Sequence, residues 1–330
     1  MTYVYLIKSV IRPQHAFILL VLVALAFSLT AHATDVDSIV PYGNTASGYR
    51  VMVNQDPGVA INNTGFGHDA LFSNSTGSYN TGVGFESLGK NISGSQNTAI
   101  GCQSLTSNTT GTFNTATGVS ALQSNTTGTR NTATGFDALF QNTTGGGNTA
   151  HGHKALLNNT IGGSNTATGV SALRNNTEGN SNTADGFQAL LSNTTGGANT
   201  ANGVSALQSN STGAFNTAAG VQALFKNTTG NENTAIGEAA LQNNDSGGDN
   251  TAAGNGALRN NTSGIENTAI GGDALRNNTV AHLISRWVLP LEPTLSAAIT
   301  TSILATTVSR ASPIPSTSAD QFIQTHLLLA

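Results

Sequence analysis

The strongest constraint on this chain is a phrase of seventeen residues written thirteen times, N-T-A-x-G-x-x-A-L-x-x-N-T-T-G-x-x. Its first Asn falls at Asn63, Asn80, Asn97, Asn114 and onward to Asn267, every step seventeen residues with no insertion or deletion. A fixed period this short marks a solenoid, in which each unit forms one coil and stacks on its neighbours. The repeat overrides the two-domain expectation that 330 residues would otherwise carry. It also separates the chain from disorder, which its Gly, Asn, Ser and Thr content and its 8% of charged residues would otherwise suggest. Disordered low-complexity sequence does not hold Leu at one place in thirteen successive units.

We number the unit from its first Asn. Position 1 is always Asn, position 2 Thr, position 5 Gly, position 9 Leu (Leu71 to Leu275) and position 12 Asn. Position 3 is Ala except for Gly65 and Gly82, position 8 is Ala or Ser, and position 15 is Gly until the last unit. Leu at position 9 reads as a core ladder, and Ala at positions 3 and 8 lets the coil walls approach. Position 6, often Val or Phe (Val119, Phe136, Val170, Phe187, Val204, Val221), reads as a further contribution to the interior. Gly at positions 5 and 15 suits corners with positive φ, and Asn tolerates the same geometry. Asn side chains stacked at one place in every coil also bond up and down as a ladder.

The fold class that follows is mainly β: a parallel β-solenoid, or β-roll, with one seventeen-residue coil per repeat. Thr-Ala-x-Gly is a short strand. The stretch x-x-A-L-x-x-N is a single helical turn, with a second short strand as the alternative. One Leu per coil is a thin core for seventeen ordered residues, so the coils must stack. The same thinness predicts that the solenoids associate side by side as homotrimers.

The flanks differ. Residues 1–33 read as a secretory signal peptide, with Lys8 and Arg12 ahead of an apolar run from Ala16 to Thr30 and a small-x-small site at Ala31-His32-Ala33. Residues 34–62 read as an N-terminal cap holding a degenerate repeat from Asn44, nineteen residues before Asn63. Residues 63–280 are the thirteen repeats. Residues 281–330 are an aberrant tail without Gly or Asn, containing the only Trp, Trp287. The tail reads as the array's coding sequence continued out of frame. Joining the last base of the Trp287 codon to the first two of Val288 forces a glycine, which lands at position 5 of a fourteenth repeat. The tail is therefore expected to be disordered, and no membrane anchor is encoded in it.

Function is less legible. The formal charge is −4, and the ten basic and sixteen acidic residues beyond the leader form no basic cluster, which argues against nucleic acid. The single cysteine, Cys102, excludes a disulfide within the chain and reads as a small apolar substitute at position 6. His151 and His153, two apart on an expected strand, form the best metal candidate, with His68 at position 6 elsewhere, but no carboxylate or Cys stands at matching positions in the neighbouring coils, where Thr134 and Thr168 flank His151. Asp69, Asp137 and Asp273 share position 7 yet lie many coils apart. Position 12 generates an N-x-S/T sequon in unit after unit, a pattern that a structural Asn explains without glycosylation. The chain therefore reads as a non-enzyme with no catalytic, cofactor-binding or metal residues and no cofactor. Ligand specificity is left to the variable positions 4, 6, 7, 10 and 17. Rows of Thr at positions 2 and 13 carry an alternative reading, an ice-binding solenoid; a passive fibre or spacer is the other alternative.

The cores Asn97-Thr98-Ala99-Ile100-Gly101, Asn233 to Gly237 and Asn267 to Gly271 resemble the N-x-A-I-G unit in the head repeats of trimeric autotransporter adhesins. The longer unit is also similar to repeats of bacterial surface proteins and phage tail fibres. The resemblance spans Asn63 to Val280. It implies a left-handed β-roll, three chains side by side, held at the cell outer membrane and binding extracellular matrix or other cells. The seventeen-residue unit, and the lack of a coiled-coil stalk and barrel anchor, depart from that pattern. The expected role is a secreted or surface-exposed adhesive repeat protein that binds host or cell-surface ligands multivalently.

Overall fold

The structure is a computed structural model and describes residues 42–56 and 58–287. The leader and most of the tail lie outside the described residues. The fold is a parallel β-solenoid with one strand per coil: β1 (Thr45–Ser47), β2 (Thr64–Phe66), β3 (Thr81–Val83), then one strand every seventeen residues to β14 (Thr268–Ile270) and β15 (Ser285–Trp287). The fifteen strands form one sheet in sequence order. Each pairs in parallel with the next in identical register, Thr on Thr and position 3 on position 3 through the array. At about 4.8 Å per strand, fourteen steps make a sheet some 65–70 Å long.

Each strand covers positions 2 to 4, and its middle residue points inward. Ala116, Ala133, Ala150 and their equivalents are fully buried, while positions 2 and 4 face out. Position 8 and the Leu of position 9 complete the apolar core, with Leu71 to Leu258 all at zero exposure. In the cap coil Met52 takes the place of Leu and is 4% exposed. Gly65 makes room for it, since a Cβ there would meet the Val51 and Met52 side chains.

The rest of the core is amide. Asn at positions 1 and 12 is buried throughout the repeats, from Asn63 to Asn267 and from Asn74 to Asn261. Around coil 131 the network is typical. Asn131 donates its backbone N–H to Asn114 Oδ1 at 3.0 Å and its Nδ2 to the Gly145 carbonyl at 2.8 Å. Asn142 Nδ2 donates to Asn125 Oδ1 at 2.8 Å and to the same Gly145 carbonyl at 3.0 Å, and Asn142 Oδ1 accepts from Asn159 Nδ2 at 2.8 Å. Burying an amide is costly unless it is bonded. Here two ladders satisfy one another through the position-15 carbonyl. The Asn ladder foreseen from the sequence is present, but these Asn side chains do not serve left-handed corners.

The expected helical turn is absent; no helix occurs among the described residues. Positions 7 and 9 both lie in the left-handed region, with Leu at φ 50–54° in every repeat, which a right-handed helical turn cannot contain. Two successive turns replace it, closed in coil 131 by Ala138 N–H to the Gly135 carbonyl at 3.4 Å and Asn142 N–H to the Leu139 carbonyl at 3.1 Å. This wall also bonds coil to coil, as in Leu139 N–H to the Ala155 carbonyl at 3.0 Å. The left-handed Leu costs about 1–2 kcal/mol, which full burial of its side chain offsets.

The two conserved glycines differ in cause. Position 5 has φ between 114° and 142°, so the expectation of a positive-φ corner is met. Position 15 is not in that region. Its requirement is space: a Cβ on Gly128 would lie well under 3.0 Å from Asn125 Oδ1 and from the Gly145 carbonyl of the next coil. Ala281 is the exception, and the Asn278 Nδ2 bond to its carbonyl lengthens to 3.3 Å, against 3.0 Å for Asn261 to Gly264.

Position 6 is a correction. Val119, Phe136, Val170, Phe187, Val204 and Val221 are 43–49% exposed rather than interior. After the corner at the position-5 glycine the next wall begins facing outward, and Ala, Leu and Ala already fill the space between the walls. Phe136→Ser is therefore expected to shift the stability of the isolated chain by less than about 0.5 kcal/mol. Leu139→Ala, which empties the core of the same coil, should cost about 2–5 kcal/mol. Urea midpoints of the two variants at low protein concentration check the contrast.

The tail also needs a partial correction. Residues 281–287 continue the coil path: Ile284 N–H donates to Asn267 Oδ1 at 3.1 Å, and β15 pairs with β14. The remainder of the expected disordered segment, 288–330, lies outside the described residues.

Candidate functional site

Because the invariant letters, the position-2 threonine apart, point inward or shape corners, any site must be assembled from outward columns, in which the same position of successive coils lines up along the rod. The most continuous apolar one is position 6. From the cap coil onward it reads Tyr49, His68, Phe85, Cys102, Val119, Phe136, His153, Val170, Phe187, Val204 and Val221, before Glu238, Asn255 and Gly272 end it. Eleven coils thus carry a largely apolar ridge about 50 Å long. Rings along it meet: Tyr49 tilts against His68 at 5.2 Å between centroids, His68 stacks on Phe85 at 5.4 Å, and Phe136 stacks on His153 at 5.6 Å. Sequence reasoning missed this ridge because apolar residues at a fixed position ordinarily signal a core.

Cys102 stands in the ridge as an exposed free thiol, not as an interior substitute. His151 and His153 do not share a strand. β7 (Thr149–His151) ends at the first, and Gly152 at φ 137° turns the chain before the second, which stacks on Phe136. Among the described residues, no group of three or more His, Cys, Asp or Glu is placed to hold a metal ion. His68 Nδ1 lies 3.1 Å from Asp69 Oδ2, and Arg50 Nε lies 3.2 Å from Asp69 Oδ1. Asp273 pairs with Arg276 at 3.3 Å, and Asp137 is coils away from both, so the position-7 acids do not meet.

The position-12 sequon asparagines are the buried ladder, so their Nδ2 atoms are already committed inside the rod. The two Thr rows separate. Position 2 lies on the outward face of the sheet, in a row from Thr45 to Thr268. Position 13 is turned back into the fold, as in Thr126 Oγ1 to the Thr143 carbonyl at 3.0 Å. Position 17 adds exposed Tyr79, Phe113 and Phe215, with the Arg130 guanidinium 5.6 Å from the Phe113 ring centroid.

No family model matches the chain, and no curated protein matches it at a significant level.

Proposed function

We propose that the chain is a secreted or surface-exposed, non-enzymatic adhesive rod that binds host or cell-surface ligands through many weak contacts, with three copies lying side by side. The observation that carries this reading is the apolar ridge at position 6. Contiguous exposed apolar surface on a soluble protein marks an interaction site. A ridge with a repeat of about 4.8 Å is matched best by another ladder of the same spacing, which is a second copy in register. Positions 4, 10 and 17 then stay outward and vary from coil to coil, as ligand-facing columns should. Repetition along a rigid rod supplies avidity without a strong single site.

The test uses Cys102 as a reporter. Parallel, in-register copies bring their Cys102 side chains together, so mild oxidation of the purified chain is expected to give covalent dimers, and sedimentation to give a trimer. Val119→Asp with Phe136→Asp should return it to a monomer that folds normally. The trimer is expected to bind cells or matrix proteins in a concentration-dependent way. A stable wild-type monomer with no cross-link would sink the assembly. A confirmed trimer that binds nothing would move the reading to a passive spacer, or, with thermal hysteresis, to the outward Thr row.

A further inference from the structure

Position 10 carries a side chain in every coil of the array but one. Phe72, Thr106, Gln123, Phe140, Leu157 and Arg174 represent the column, and Gly89 alone interrupts it. The backbone does not require that glycine. Its φ lies outside the left-handed region, and a Cβ would meet only the Glu86 carbonyl at 3.2 Å and the Asp69 carbonyl at 3.5 Å, which a shift of a few tenths of an ångström relieves. Gly89 deepens an open notch that runs over four coils on the face formed by positions 7, 10 and 11, about 580 Å³ in all, within the size range of small-molecule sites, roughly 300–1,000 Å³.

Its walls are fixed in advance. Phe72 stands on the N-terminal side, with the Arg50 guanidinium of the preceding coil 4.3 Å from its ring centroid, and Arg50 is held in turn by Asp69 at 3.2 Å. Thr106 on the other side is bent down, its Oγ1 donating to the Glu86 carbonyl at 3.0 Å, so it does not fill the gap. A polar chain runs along the notch. Gln123 Nε2 donates to Gln103 Oε1 at 3.2 Å, and Gln103 Nε2 donates to Glu86 Oε2 at 3.0 Å. Exposed Lys90 completes the lining.

The geometry points to a saccharide site that takes one pyranose residue of a glycan. A sugar ring offers an apolar C–H face for an aromatic wall and vicinal hydroxyls that both donate and accept. A carboxylate with unused lone pairs, two side-chain amides and an ammonium group answer those hydroxyls in both senses. A phosphate ester fits poorly, because Lys90 is a single cation beside the carboxylates of Glu86 and Asp69. A lipid chain fits poorly too, because Phe72 is the one hydrophobic side chain among the residues that line the notch. The inference rests on the adhesive reading for its biological use, and on the notch alone for its chemistry.

The test is saturation-transfer NMR on the full chain with methyl β-D-galactopyranoside, methyl α-D-mannopyranoside and N-acetylglucosamine, alongside adhesion to cells. At least one glycoside should receive saturation and compete with the others. Gly89→Gln, which restores the residue that the column has at Gln123, should abolish the transfer. Phe72→Leu, which keeps apolar bulk but removes the flat ring, should weaken binding at least fivefold. Both variants should melt like the wild type, because other coils already carry Gln and Leu at this position. Absence of transfer from all three glycosides, or full transfer in Gly89→Gln, overturns the site. If the wild type takes up glycoside yet does not adhere to cells, the notch stands and the adhesive reading falls. If Gly89→Gln adheres as the wild type does and neither takes up glycoside, the adhesive reading stands and the notch falls.

Discussion

Asn142→Asp is expected to destabilise the chain by about 3–5 kcal/mol at neutral pH, although it only exchanges an amide nitrogen for an oxygen and leaves the volume unchanged. The amide it removes gives two hydrogen bonds and accepts one, all inside the rod. A carboxylate cannot donate to Asn125 Oδ1 or to the Gly145 carbonyl, so acceptor would face acceptor in a buried site. The effect should be local, because a coil in a solenoid contacts only its neighbours. Hydrogen exchange is expected to show lost protection in coils 114 to 164, with distant coils near wild type. Thr144→Asp, two residues away on the exposed surface, should cost less than about 0.5 kcal/mol. The defect should also depend on pH. Burial raises the pKa of the introduced carboxyl above its unfolded value of about 3.9. The folded state then holds the proton more tightly than the unfolded state. Stability is therefore highest below the unfolded pKa, where the neutral acid can still donate, and falls as pH rises through that window. A defect of equal size at pH 3.5 and pH 7 would contradict this account of the ladder.

Gly135→Ala should be nearly as damaging, by about 3 kcal/mol or more, for a different reason. At φ 135° the residue occupies backbone space that side chains with Cβ rarely enter. The added carbon would also lie 2.6 Å from the Gly152 carbonyl oxygen and 2.8 Å from its carbonyl carbon. Both are backbone atoms of the next coil, so no rotamer change relieves the contact and the coils must separate. At roughly 2–4 °C per kcal/mol for a fold of this size, the melting temperature should drop by about 6–12 °C, read by circular dichroism. A melting temperature within a degree of wild type would show that the stack is softer than the contacts imply.

Much of this architecture was legible in the letters themselves. The fixed period gave the coil, Thr-Ala-x gave the strand, and Leu at position 9 and Asn at positions 1 and 12 gave the ladders that the structure contains. What period cannot convey is the phase of the wall after a corner. Position 6 carries Phe and Val, and apolarity usually votes for the inside, yet the turn at Gly135 sends Phe136 outward and leaves Leu139 to fill the centre alone. The left-handed Leu was equally hidden. Nothing in the residue advertises φ near 52°, because the fold imposes that conformation on Leu in spite of its preference. Gly128 and Gly135 looked alike in sequence, but one answers to space and the other to backbone angle. The notch at Gly89 was present in the sequence as the one glycine at position 10, a signal visible only when the columns are read down the rod.

The Asn ladders run in one sense. The position-1 backbone N–H and the position-12 Nδ2 donate to Oδ1 of the preceding coil, and each Oδ1 accepts from the following one, from Asn63 to Ile284. The two ladders are therefore polar columns of aligned amides, although the backbone between coils bonds both ways, as in Thr132 N–H to the Asn148 carbonyl of the following coil and Gly135 N–H to the Thr117 carbonyl of the preceding one. Along these columns two tips of the same kind are mismatched, whereas unlike tips are complementary. Only a head-to-tail junction would continue both ladders, and whatever closes either end must match their polarity there.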